Sequence, residues 1–172
     1  PHRGGCPTGI CCGGNAGLPL TGYRMTSQIP DDAKWRMEKA EGFLDLRMQG
    51  RALAELMLVS ESVQRTTPWR ILRLRLAFDQ HDWTLGAEIA KQLREEQPAI
   101  VDYWIQLAYA TRRCLGIDAA KTILEEASQR FPEIALIPFN LACYECRLGQ
   151  NGIAMRHLRR AFELEPEYRE TA

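Results

Sequence analysis

Residues 101–132 read VDYWIQLAYATRRCLGIDAAKTILEEASQRFP. Apolar and small side chains recur there at three- and four-residue intervals, on Trp104, Leu107 and Ala108 and, beyond Gly116, on Ala120, Leu124 and Ala127, until Pro132 stops the run. Two amphipathic helices joined at a glycine account for this pattern. The same texture extends to both sides: from Asp31 onward glycines are few, strand-like alternation is absent, and breakers cut the chain into segments of about 12 to 15 residues, each a helix of three to four turns. Pro98, Pro132 and Pro166 are spaced by 34 residues twice over. Steps of 34 also join Ala52, Gly86, Ala120 and Ala154, then Leu56, Ala90, Leu124 and Leu158, then Val59, Leu93, Ala127 and Ala161. In the earlier helix of each unit the same step joins Ala40, Leu74, Ala108 and Ala142. Small residues let two helices approach closely, and larger ones a turn away fill the space between them.

Trp104-x2-Leu107-Ala108 followed by Ala120, Leu124, Ala127 and Pro132 resembles the tetratricopeptide signature in nearly full form. Leu141-Ala142, Gly149, Ala154, Leu158, Ala161 and Pro166 resemble it almost as well. The unit from about residue 68 to 97 is looser, with Arg73 where an apolar residue is expected and Ala90 where a large one is, and the unit over 33–64 lacks a closing proline. Divergent end repeats suit such arrays. The resemblance implies an all-α chain, a right-handed α-solenoid of about four TPR-like helix hairpins over residues 31–166 with a concave groove. Thr67 before Pro68 reads as a helix cap followed by a first-turn proline, and Pro138 places another helix start near Ile137. Trp35, Trp69 and Trp104, near the repeat spacing, are expected to pack between hairpins.

In this family ligands usually lie on the inner face, lined by the first helix of each hairpin. Carried over by register, that face comprises Glu41, Leu44 and Asp45; Ile71, Arg75, Phe78 and Asp79; Ile105, Tyr109, Arg112 and Arg113; and Phe139, Cys143, Cys146 and Arg147. Asp45 and Asp79 in the first half become Arg113 and Arg147 in the second, so the groove is expected to be bipolar, with Phe78, Ile105, Tyr109 and Phe139 as apolar anchors. A partner's peptide or helical segment would lie there, its acidic part near Arg112, Arg113 and Arg147. Intramolecular ion pairs are the alternative use of those charges.

With 22 Lys+Arg against 22 Asp+Glu the chain is formally neutral, and no polyanion is favoured as a ligand. No run approaches the ~20 apolar residues of a membrane span. No nucleophile elbow, phosphate loop or His-Glu-x2-His occurs, so a non-enzymatic protein without cofactor or bound metal is expected. Cys143-x2-Cys146, with Cys114 nearby in register, is read as small cysteines tolerated in a helix face; the rival is a metal or thiol-redox protein built on them. Another alternative is a secretion-type chaperone for an aggregation-prone client. Residues 1–24 hold seven of the thirteen Gly and three of the six Cys, without an acidic residue. Residues 1–30 are therefore expected to be a disordered Gly/Cys-rich leader, the part before Met25 being vector-derived or upstream-translated. Residues 167–172 are expected to be a truncated tail that leaves Leu158, Phe162 and Leu164 uncapped, which predicts either a chain cut short or a homo-oligomer sealed through that edge. The expected setting is a bacterial cytoplasm.

Overall fold

The computed structural model describes residues 29–171, so residues 1–28 of the expected 1–30 leader lie outside the described residues, while Ile29 is buried in the core of the first hairpin. The described elements are helices throughout: α1 (Asp31–Asp45), α2 (Gln49–Met57), α3 (Glu61–Gln64), α4 (Thr67–Asp79), α5 (Trp83–Glu96), α6 (Val101–Cys114), α7 (Ile117–Arg130), α8 (Leu136–Arg147), α9 (Asn151–Leu164) and α10 (Tyr168–Thr171). They pair as antiparallel hairpins, α1 with α2, α4 with α5, α6 with α7 and α8 with α9, and each second helix also packs on the next hairpin's first helix, as α5 does on α6 and α7 on α8. The described residues form an all-α solenoid of four helix hairpins.

Local chemistry sets the helix ends. Asp31 and Asp32 sit in the first turn of α1, where carboxylates complement the helix dipole, and the Asp82 side chain accepts a 3.1 Å hydrogen bond from the Leu85 N–H to cap α5. The first helix of each hairpin closes on one residue of positive φ: Arg47 (59°), His81 (59°), Gly116 (103°) and Gly149 (78°). Behind Arg47, His81 and Gly149 the next backbone N–H returns to the last turn, as Met48 does to Phe43 O (2.8 Å) and Gln150 to Glu145 O (2.8 Å), whereas at the third hairpin Gly116 N–H itself returns to Thr111 O (3.2 Å). Arg47 and His81 are 34 residues apart. Gly116 falls one residue late because α6 runs one residue further than its counterparts. Helix α4 begins at Thr67 rather than at Pro68, and the Thr66 hydroxyl donates to Val63 O at 2.6 Å instead of capping the helix. Pro138 lies in the first turn of α8, where its missing N–H costs nothing.

The core is distributed along the stack. Met37, Ala40 and Leu44 of α1 pack with Ala52 and Leu56 of α2 and with Leu72 and Leu76 of α4; Leu74, Ile89, Ala90 and Leu93 pack with Tyr103 and Leu107; Trp104, Ala108, Ala120 and Leu124 pack with Leu141 and Tyr144. Each cluster draws on two hairpins, so each hairpin buries its apolar face only against its neighbour. Trp69 and Trp104 donate their indole N–H to Leu56 O (2.9 Å) and Pro98 O (3.0 Å), the expected packing role. Trp35 departs from it: it is 56% exposed at the outer end of the first hairpin, with Lys39 4.8 Å over its ring. No preceding hairpin among the described residues covers it. At the other end Leu158, Phe162 and Leu164 are half-buried rather than open, since Tyr168 stacks 4.8 Å from Phe139 and Arg169 lies 5.8 Å from the Phe162 ring.

Candidate functional site

Contacts between successive first helices show which register residues share a side. Arg75 of α4 donates to Asp45 of α1 at 2.5 Å, Phe78 of α4 meets Tyr109 of α6 at 5.7 Å, and the Arg112 guanidinium of α6 lies 5.5 Å over Tyr144 of α8. The acidic half of the expected bipolar surface is consumed internally: Asp45 pairs with Arg75, and Asp79, little exposed, pairs with Arg47 at 3.4 Å. Gln49 Nε2 also donates to Asp79 O at 2.7 Å. Ile105 and Phe139, expected as anchors, are 2% and 5% exposed, and Leu44, Ile71 and Cys143 are buried as well. Their register positions face the neighbouring hairpin closely enough for packing to take up the side chain. Glu41 and Cys146 are half-buried, and Arg147 is exposed.

What the fold does bring together is an aromatic cluster between the second and third hairpins. Phe78, Trp83 and Tyr109 touch pairwise, with centroids 5.7, 5.7 and 5.6 Å apart, and His81 stacks on Trp83 at 5.2 Å. Phe78 reaches this position because Gly86 opposite it has no side chain: a Cβ there would stand 2.6 Å from Phe78 Cε1. Arg113 spreads over the cluster, 5.1 Å from the Trp83 centroid and 5.3 Å from Tyr109, and its Nη2 donates to the Tyr109 hydroxyl at 3.2 Å. Arg113 is exposed and forms no ion pair with a carboxylate among the described residues. Trp83 is the functional candidate that repeat arithmetic overlooks, because it stands off the spacing shared by Trp35, Trp69 and Trp104. Its signal is local, a large aromatic placed directly after the Asp82 helix cap.

Two other polar features belong to the scaffold. Lys121 Nζ lies 2.8 Å from Glu145, a carboxylate 2% exposed whose Oε2 has no hydrogen-bond partner among the described residues. The hydrogen bond to Glu145 holds the Lys121 ammonium above its ordinary pKa, whereas burial pushes His157 down. Burial also raises the Tyr144 phenol to about 12. An open cleft of about 470 Å³ between α3 and α5 is lined by Glu61, Arg65, Trp69 and Arg70, but Arg65 pairs with Glu61 and Arg70 with Glu96. Among the described residues no group of His, Cys, Asp or Glu could hold a metal ion, and no helix is long and apolar enough to cross a membrane.

No family model and no curated protein matches the chain. Solved structures do. A MamA fragment from Desulfovibrio magneticus RS-1 superposes with a TM-score of 0.70 at 15% identity, covering 79% of this chain and 77% of the other. Another MamA crystal structure gives 0.67 at 12% identity over 82% of each chain. A thermophilic TPR protein of Thermus thermophilus gives 0.60 at 16% identity, over 78% and 75%. At such identities the likeness concerns architecture alone, and with the 34-residue register and the hairpin packing it establishes that the chain has a tetratricopeptide-like α-solenoid fold.

Proposed function

We propose that the chain is a cytoplasmic, non-enzymatic protein-interaction module that seats a peptide or helical segment of another protein along the side shared by α1, α4, α6 and α8. One observation carries this reading: Arg113 is held over the Trp83 and Tyr109 rings, exposed, while Asp45 and Asp79 on the same side are neutralised by Arg75 and Arg47. A half-buried aromatic surface topped by an oriented guanidinium is the composition of a binding hot spot, where Trp, Tyr and Arg dominate. The test is affinity capture from the native organism with mass spectrometry of what is retained, repeated with Arg113→Glu plus Arg147→Glu. Retention of a defined partner that the double variant loses supports the reading, and unchanged recovery by the variant contradicts it.

A further inference from the structure

We infer that Trp83, Tyr109 and Arg113 form a seat for one acidic residue flanked by an apolar residue in the bound segment; this rests on the interaction reading above and specifies its chemistry. The guanidinium is fixed before any partner arrives. Ring faces of Trp83 and Tyr109 support it, and the Tyr109 hydroxyl takes one of its five donors. The hydrogen bond to Tyr109 leaves the remaining donors for an acceptor, and a carboxylate matches the guanidinium fork with two parallel hydrogen bonds. On the same side Arg75 and Arg47 of the earlier hairpins already meet carboxylates, Asp45 and Asp79, whereas Arg113, at the register position of those aspartates, meets none among the described residues.

An apolar neighbour is called for by the surroundings. Trp83 and Tyr109 are half-buried, and Leu115, two residues beyond Arg113, is 74% exposed. A protein segment fits better than a nucleic acid. The chain carries 22 Lys+Arg against 22 Asp+Glu, and one ring-held arginine on a formally neutral chain gives no track for a phosphate backbone.

The test is selection of a random twelve-residue peptide display library on the full chain. Enriched peptides should place Asp or Glu beside an aromatic or aliphatic residue. Their affinity should fall at least about tenfold for Arg113→Glu, with Arg113→Lys intermediate because the fork and the stacking are lost while the charge is kept. Trp83→Ala should show a similar loss, and circular dichroism of the Arg113 variants, changed only at an exposed position, controls for folding. Enrichment without an acidic consensus, no enrichment at all, equal binding by Arg113→Glu, or tighter binding of oligouridylate than of any selected peptide would each overturn the seat. Peptides that bind elsewhere on the chain regardless of Arg113 would refute the seat while leaving the interaction module standing; failure of partner capture would refute the module.

Discussion

At position 86 the absence of a single carbon decides where a ring can lie. The repeat asks for a small residue there, and Ala52, Ala120 and Ala154 meet that need in the other hairpins, yet only glycine admits Phe78. Gly86→Ala should gain about 1 kcal/mol in helix propensity and lose more through the displaced ring, for a net destabilisation of about 1 kcal/mol. Urea denaturation measures the balance, and a changed near-UV circular dichroism signal from the Phe78, Trp83 and Tyr109 cluster reports the displacement. Two other glycines separate the propensity effect from the conformational one. Gly42 lies inside α1 with nothing within 4 Å of a Cβ, so Gly42→Ala should stabilise by about 0.5 to 1 kcal/mol. Gly149 sits at φ 78° in a helix-ending turn, so Gly149→Ala should cost about 1 kcal/mol despite equally open surroundings. Thermal denaturation of the pair should move in opposite directions.

Charge placement within and between helices governs the elements. Glu145 stands where Ala77 and Thr111 occupy the two preceding hairpins, and Lys121 reaches across from α7 to meet it. Lys121→Met should destabilise by about 2 to 3 kcal/mol, because it strands a buried carboxylate, and adding Glu145→Leu should recover most of the loss. A Lys121→Met variant as stable as the wild type in urea melts would show that the pair is inconsequential. In the first hairpin, hydrogen bonding from Lys39 above all, with Arg36, holds the Glu55 carboxyl below its ordinary 4.5. Its contribution is thus fully present above pH 4.5 and is lost as pH falls through the lowered value. Glu55→Gln should flatten the acid limb of the stability profile, measured as melting temperature between about pH 3 and pH 6. The helices and their 34-residue step were legible in the sequence because small and large residues alternate by register, whatever partner each charge finds. The partners were not: Asp45 and Asp79 read as one pole of a surface, but Arg75 and Arg47 lie across hairpin boundaries and reach them only once the hairpins stack.

For the whole molecule, periodicity together with the tetratricopeptide resemblance predicted the solenoid, since equivalent poses follow from equivalent packing residues. The expected groove residues are distributed differently. Ile105 and Phe139 carry the register of surface anchors, but each is drawn into contact between hairpins, a matter of how close the hairpins approach that no one-dimensional pattern encodes. Trp83 joins the aromatic cluster from a helix start outside the repeat signature. On the proposed reading a partner lies against the first helices, over the cluster that Arg113 crowns, and hydrogen exchange of the chain with and without its captured partner probes that placement. Added protection concentrated in α4, α6 and the start of α5, around residues 75–83 and 105–115, with the rest of α5 and α7 unchanged, is the predicted result; protection confined to α7, α9 and α5 beyond its first turn would contradict it.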